Sequence, residues 1–467
     1  MSVLAPPVRR SAAPARRRGP AGVLTVAGLF AVLWLVVGPG DGGWLSFAGQ
    51  LAGAEAVLLM SAAIVLISVL PAVESWFDGI DRAAIWHRRL SVTGMVLVIP
   101  HVLFSSGHHG PPPQAGQPMS GGRGADFGGL LAQIGVWGLA ALAVWAVAPR
   151  WRMMLPWLAP YVARSAVVPH LRRASRWLLG GYERWRALHR LTGLFLAAAF
   201  VHGLLDATMF GSQVLRWSYL IAGGIGIAFY AYRETMARYF LPLHDYQVAA
   251  VTTVAPGLTE LALTPVGRPL HFTPGQFAML FLESADGWRR HPFTISSAPH
   301  DDVLRFTIKA LGDDTTRIQT LVRPGMPAVV GGPHGRFDHT RGTDRQIWIA
   351  GGIGITPFLS WLRALDRHPL PARVDLFYSA VGDAPFAGEI AAVAAAHPNL
   401  RVHQHDSTAR GFLTADDILA AAGTGHDPGR VSVFLCGPAP MVDAFVRRLR
   451  RAGVPGRQIH REHFDWR

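Results

Sequence analysis

Four histidines lie within two apolar stretches of the chain, at nearly equal spacing. His87 and His101 are 14 residues apart, and His189 and His202 are 13 apart. An imidazole can ligate a metal, relay a proton or serve as a plain hydrogen-bonding group. Inside a membrane span such a side chain is costly to keep, so it usually carries function. Two pairs on two helices suit two stacked cofactors, each gripped from both sides. Neutral imidazole is a good ligand for haem iron. At ~1.5 Å rise per residue each pair is separated by roughly 20 Å along its helix, which fits two haems stacked across a core about 30 Å thick. The plainer alternative is four polar histidines bonded to backbone or to one another.

Helical phase treats the two pairs differently. At about 100° per residue, a separation of 14 returns to nearly the same face, whereas 13 misses by well over 100°, about 140°. The segment holding His189 and His202 is therefore expected to contain an irregularity, or to meet a rotated haem plane. The Thr192-Gly193 step is the expected place. Phe195, about midway between these histidines, is a candidate to sit between the two cofactors; packing against neighbours or lipid is the other reading.

These residues need long apolar helices to position them. The N-terminal half of the 467-residue chain supplies six candidate spans, approximately 21–38, 50–70, 84–104, 127–148, 187–207 and 216–236. Each approaches the roughly 20 residues that cross a bilayer. Net charge is +14, and Lys309 is the only lysine. Within the N-terminal half the arginines concentrate in the tail and in alternate loops, notably Arg150, Arg152, Arg164, Arg172, Arg173 and Arg176. That pattern indicates membrane topology rather than nucleic-acid binding, and places both termini in the cytoplasm of a multi-pass protein of the cell membrane. His87 and His189 then lie towards the inner ends of their spans, His101 and His202 towards the outer ends. A single cysteine, Cys436, excludes an intrachain disulfide and a Cys-based zinc site.

From about Tyr246 the pattern changes to short strands with Gly/Pro turns, which predicts a small antiparallel barrel. Its segments include 248–254, 259–264, the turn Thr273-Pro274-Gly275-Gln276-Phe277, His291-Pro292-Phe293-Thr294-Ile295-Ser296-Ser297, 306–312 and 331–337. After Arg345 the rhythm becomes strand–loop–helix. Strand 346–350 leads into Gly351-Gly352-Ile353-Gly354-Ile355-Thr356-Pro357 and a helix from Phe358. Bare amides at such a helix start suit a pyrophosphate. Further strands are expected at 373–379, 431–435, before Cys436-Gly437-Pro438, and 458–463, with a helix at 440–452. The predicted architecture is a multi-domain membrane protein. A basic tail (1–20) precedes a six-helix haem-binding bundle (21–240), an antiparallel β-barrel domain (245–342) and an α/β nucleotide-binding domain (343–467).

The motifs His-Pro-Phe-Thr-Ile-Ser, Pro-Gly-Gln-Phe, Gly-Gly-Ile-Gly-Ile-Thr-Pro and Cys-Gly-Pro together resemble the ferredoxin-reductase type of flavin and nicotinamide module. Joined to two histidine pairs, they resemble the NADPH oxidase and ferric reductase superfamily. The resemblance implies that His87 with His189 ligates an inner haem b, and His101 with His202 an outer one. It implies that His291, Pro292, Phe293 and Thr294 bind the flavin ring of FAD and nearby atoms, and that Lys309 meets the FAD pyrophosphate. Gly351, Gly352, Gly354 and Thr356 would cradle NADPH or NADH. Cys436 and Gly437 would lie beside the nicotinamide, with Trp466, or else Phe464, stacked on the flavin. The implied activity passes electrons from cytoplasmic NAD(P)H through FAD and two haems to an acceptor on the outer face. Oxygen, giving superoxide, is favoured over ferric or cupric ions or an extracytoplasmic protein partner. No regulatory subunit is implied.

Overall fold

The computed structural model describes residues 15–38, 43–68, 70–105, 123–147, 182–205, 212–236, 242–284, 287–423 and 428–462. Most of the arginine-rich loop before the fifth span, and the C-terminal Phe464 and Trp466, lie outside these residues. The chain divides into two compact units, one built on Arg16–Phe77 and Arg82–Tyr239, the other on Phe240–Arg467.

The first unit is helical, an arrangement in which each apolar run satisfies its own backbone amides. Helices α1 (Ala15–Val37), α2 (Gly43–Leu66), α3 (Pro71–Phe77), α4 (Ile80–Ser105) and α5 (Arg123–Val147) come first. Then follow α6 (Tyr182–His189), α7 (Thr192–Leu205) and α8 (Gln213–Ala231), the last running on into a π turn at Tyr232–Met236. Among the described residues, five segments are long and apolar enough to cross a membrane: Arg18–Val37, Gly43–Leu66, Phe127–Ala146, Ala187–Leu205 and Gln213–Met236. Six spans were expected. The missing one is α4, which is long enough at 26 residues, but Arg88, Arg89 and its two histidines dilute its apolar content.

The centre of this unit is α2, 67% buried along its apolar window against 11% for α1. Small residues bring neighbouring helices close. A Cβ on Gly94 of α4 would fall 2.8 Å from Met60 of α2, and one on Gly226 of α8 would overlap Ser61. The fifth expected span carries the foreseen irregularity. It stops at His189 and restarts at Thr192, the residue before Gly193.

The second unit contains two sheets. The first holds β1 (Leu243–Ala255), β2 (Leu258–Pro265), β3 (Phe277–Ser284), β4 (Gly287–Thr294), β5 (Leu304–Lys309) and β6 (Pro327–His334). Its order is β4-β3-β6-β1-β2-β5, with every pairing antiparallel, and helix α9 (Asp313–Leu321) lies between β5 and β6 in the chain. A small antiparallel barrel was expected; the edge strands β4 and β5 of the described sheet approach each other at one bridge, Ile295 to Phe306, flanked by the Ser296 amide donating to the Arg305 carbonyl.

The second sheet is parallel: β7 (Arg345–Gly351), β8 (Arg373–Ala380), β9 (Leu400–Asp406), β10 (Val431–Cys436) and β11 (Ile459–Arg461). Its order is β11-β10-β7-β8-β9. The buried runs of β7 and β10 are what a strand covered on both faces requires. The chain winds outwards from β7 to β9, then crosses back to β10. The gap between the carboxyl ends of β7 and β10 is therefore the switch point at which open α/β sheets bind ligands.

Candidate functional site

In the helical unit the histidines meet as pairs. The ring centroids of His87 and His189 lie 6.4 Å apart, and those of His101 and His202 lie 6.5 Å apart. Helix α2 fixes both histidines of α4. His87 Nδ1 donates to the Ala63 carbonyl at 2.8 Å, and His101 Nδ1 donates to the Gly49 carbonyl at 3.0 Å. On α7, His202 Nδ1 donates to the Gly128 carbonyl of α5 at 3.1 Å. A carbonyl can only accept, so Nδ1 carries the proton in these three rings. The lone pair then sits on Nε2, the arrangement that orients a metal-ligating histidine. His189 is held by its neighbours instead. Trp185 stacks on it at 4.8 Å, and Thr192 Oγ1 donates to the His189 carbonyl at 2.6 Å.

The rings also fit a shared ligand by distance. Two imidazoles holding one metal ion from opposite sides, with bonds of about 2 Å each, place their centroids roughly 6 Å apart. Among the described residues no group of three or more His, Cys, Asp or Glu gathers as a metal site; each pair brings two imidazoles together. Glycine makes room for it. A Cβ on Gly53 of α2 would lie 2.4 Å from His101 Nδ1. Phe195 lies between the two histidine levels of its segment with its ring laid on Gly138, where a Cβ would fall 2.3 Å away.

In the antiparallel sheet, His291, Pro292, Phe293 and Thr294 occupy the end of β4, paired with Leu280, Met279, Ala278 and Phe277 of β3. The His291 and Phe293 rings lie 6.0 Å apart. Thr294 is buried, and its hydroxyl has no hydrogen-bond partner among the described residues. An orphaned hydroxyl beside an aromatic and a histidine is a fitting edge for a polar ring system. The Ile295–Phe306 bridge draws this motif towards the end of β5, where Lys309 stands exposed. A flavin pyrophosphate would suit that cation.

The glycine loop fits a nucleotide. Gly351 closes β7, Gly352 takes φ +54 with open space over it, and Thr356 starts α10 (Thr356–Arg363). The Cys436-Gly437 turn at the end of β10 lies against this loop, so a Cβ on Gly354 would fall 2.2 Å from the Cys436 carbonyl. The two motifs thus flank the switch point. The Cys436 side chain is buried in the core beneath, and that burial pushes its thiol well above the usual range. Sequence reasoning missed Glu462. It is buried, its amide donates to the Leu435 carbonyl at 3.1 Å, and its charge acts on Cys436. Only its nearness to the expected C-terminal aromatics could have flagged it.

The two sheets of this unit are tied at the same place. Arg363 of α10 donates to Glu260 at 3.2 Å, to the Ser296 carbonyl at 2.9 Å and to Glu389 at 2.6 Å. The Pro274-Gly275 turn docks on α10, with Trp361 Nε1 donating to the Pro274 carbonyl at 3.1 Å. Flavin and nucleotide motifs are therefore held by one rigid seam.

Residues 243–345 match the FAD-binding domain family, and residues 348–447 match the oxidoreductase NAD-binding domain family. Ferredoxin–NADP reductase B of Sorangium cellulosum is 29% identical over 240 residues, covering 47% of this chain and 97% of the relative. The ferredoxin–NAD(+) reductase component of the alkene monooxygenase system of Xanthobacter autotrophicus is 27% identical over 47% of this chain and 70% of its own length. Dual oxidase 2 of Rattus norvegicus is 33% identical over 136 residues, which is 26% of this chain and 8% of that one.

Proposed function

From the premise that residues 243–447 form a ferredoxin-reductase-type module of an NAD(P)H oxidoreductase, we propose that the whole chain is a transmembrane electron carrier of the NADPH oxidase and ferric reductase type. It lies in the cell membrane with six spans, α4 included, and both termini in the cytoplasm. It takes electrons from NADPH or NADH and delivers them to an acceptor on the outer face, oxygen giving superoxide being the favoured one. The observation that carries the reading is the pairing of His87 with His189 and His101 with His202 at 6.4 and 6.5 Å.

Each chemical part is assigned to residues of this chain. Bound FAD would turn a two-electron hydride into single electrons, and two bound b-type haems would relay them one at a time. Gly351, Gly352, Gly354 and Thr356 hold the nicotinamide dinucleotide at the switch point. His291, Pro292, Phe293 and Thr294 seat the flavin ring, and Lys309 neutralises its pyrophosphate. Phe464 or Trp466 covers the flavin. Backbone donation from Cys436 and Gly437 orients the nicotinamide, since the buried thiol itself is held protonated. Carbonyls of Gly49, Ala63 and Gly128 keep Nε2 of His101, His87 and His202 available as ligands. With His87, His189, His101 and His202 all engaged in holding the haems, an outer-face acceptor would take its electron without binding the iron.

A second reading has its own support. The Xanthobacter relative is by name a reductase component of a monooxygenase system, so an electron-transfer subunit feeding an extracytoplasmic protein partner is the alternative; ferric or cupric ion as acceptor is a third outcome. The test follows the haem absorption of the purified full-length protein with added FAD, reduced anaerobically by NADPH or NADH and then exposed to air. Fast reoxidation with superoxide release supports the oxidase. Reduction that persists in air selects the other acceptors. Absence of haem overturns the reading.

A further inference from the structure

Helix α10 touches both halves of the reductase site. Its first residue, Thr356, follows the glycine loop that suits a nucleotide, and its last, Arg363, reaches the segment after the flavin motif. Arg363 is an anchor with three arms, and its side chain is 15% exposed. One terminal nitrogen donates to Glu260 of β2 at 3.2 Å and to the Ser296 carbonyl at 2.9 Å. Its Nε and its other terminal nitrogen grip both carboxylate oxygens of Glu389, at 2.6 and 2.9 Å, on helix α11 (Ala387–Ala396). The guanidinium also lies over the Phe386 ring, 5.5 Å from its centroid.

Glu260 is buried and accepts two more bonds, from Arg305 at 3.1 Å and from the Thr307 hydroxyl at 3.4 Å. Two arginines thus meet two glutamates, so each buried charge has a partner. A planar fork holds several acceptors in one fixed geometry, which a lysine ammonium does not do. The Ser296 carbonyl is the informative contact, because Ser296 and Ser297 continue directly from His291-Pro292-Phe293-Thr294-Ile295. The Ser297 carbonyl accepts from Ser360 Oγ at 2.8 Å. Positions 360 and 363 are neighbours on one helix face. One face of α10 therefore pins two consecutive carbonyls of the chain leaving the flavin motif, while the start of the same helix abuts the glycine loop.

We propose that Arg363 is a positioning residue for hydride transfer. Through Glu260 and the Ser296 carbonyl it sets the gap between a flavin seated by residues 291–294 and a nicotinamide held by residues 351–356. The inference rests on the FAD and nucleotide assignments above and does not need the four-histidine reading. In the step itself the nicotinamide C–H bond breaks with both its electrons, an N–H bond forms on the flavin ring, and no other reactant enters. The reacting atoms must come within about 3–3.5 Å, and a misplacement of about 1 Å can cost roughly a hundredfold in rate. Arg363 acts on that distance through its neighbours rather than by touching the reacting atoms.

Anaerobic stopped-flow reduction of the FAD-loaded full-length protein by NADH and by NADPH tests this, with FAD content measured in parallel. In Arg363→Gln the limiting rate of flavin reduction is expected to fall roughly tenfold to a hundredfold. The nucleotide concentration giving half that rate should stay within about twofold, and FAD content should hold. Glu260→Gln should act in the same direction, and the double variant should be no slower than the worse single one, because both break one tie. Arg363→Lys keeps the charge and should recover part of the rate. An unmoved limiting rate in Arg363→Gln with FAD bound overturns the proposal. A rate that falls only in proportion to lost FAD in every variant does so too, since that is a folding role alone. Where Arg363→Gln fails to hold FAD, Glu389→Gln loosens the same fork from its more exposed side. The rate per bound FAD should then drop a few-fold, and an unmoved rate there overturns the proposal. A wild-type protein that binds no FAD, or whose FAD neither nucleotide reduces, overturns the site assignments instead, and this inference with them.

Discussion

In the helical unit three glycines clear space for side-chain rings, whereas in the reductase unit three others serve the backbone. Gly53, Gly138 and Gly193 sit within helices and clear space for His101, Phe195 and Tyr230. Gly275 and Gly352 take φ of +89 and +54, and Gly354 lets one loop touch another loop's carbonyl. The ligand-holding groups differ in the same way. The helical unit offers imidazoles oriented by distant carbonyls; the nucleotide loop offers bare amides and a helix start. A site made from paired side chains scatters its signal over more than a hundred residues. A site made from backbone concentrates its signal in a few consecutive letters, and the family matches to residues 243–447 fall on that second kind.

Removing one ligand should produce the largest effect and break the comparison cleanly. His101→Ala is expected to lose one of two haems and to abolish delivery of electrons to the outside. Reduction of bound flavin by NAD(P)H should persist, because none of its residues is touched. Haem-to-flavin ratio and stopped-flow flavin bleaching read the two halves separately. Full haem content in the variant would refute the ligand assignment.

The two kinds of glycine then predict different penalties for the same methyl group. At Gly354 the added Cβ meets backbone of Cys436 and Gly437, which cannot rotate away. Gly354→Ala is expected to cost roughly 1–3 kcal/mol of overpacking, or about a tenfold or greater rise in KM for the nucleotide. Flavin content and both haems should remain. At Gly53 the added Cβ meets an imidazole, which can swing if it gives up the Gly49 carbonyl. Gly53→Ala should therefore shift the absorption and potential of the outer haem with little loss of protein. An unchanged outer haem in that variant would show that the ring is not held where the Gly49 bond places it.

Much of this was legible in the chain, and what was missed has physical causes. The histidine spacing foretold a break in the fifth span, and the helix stops at His189. The motifs HPFT, GGIGIT and CGP mark the ends of β4, β7 and β10, where chemistry-bearing turns belong. Strand β9 escaped notice because its residues Leu400–Asp406 alternate with polar and half-exposed side chains at a sheet edge, giving no apolar run. Tertiary ties such as Arg363 to Glu260, 103 positions away, leave no periodic trace. The carbonyl partners of the histidines were equally invisible, since any residue type supplies a carbonyl.

The smallest expected effect concerns a histidine that the helical pairs make easy to overlook. His339 is 3% exposed, between Trp348 and Trp361 with ring centroids at 5.7 and 5.2 Å. Burial pushes its imidazole down from 6.5 to about 4. The folded state therefore refuses a proton that the unfolded chain accepts between those values. Stability from this group is full above pH 6.5 and is lost as pH falls towards 4. His339→Phe removes the titration while keeping a ring in the apolar slot. Between pH 7.5 and pH 5 the wild type should lose more stability than the variant, by on the order of 1 kcal/mol, seen as a few degrees in the temperature of flavin release. Equal losses in the two proteins would show that His339 is protonated in the fold. The dry aromatic cluster would then be wet, unlike the interior that the helical unit needs around its own histidines.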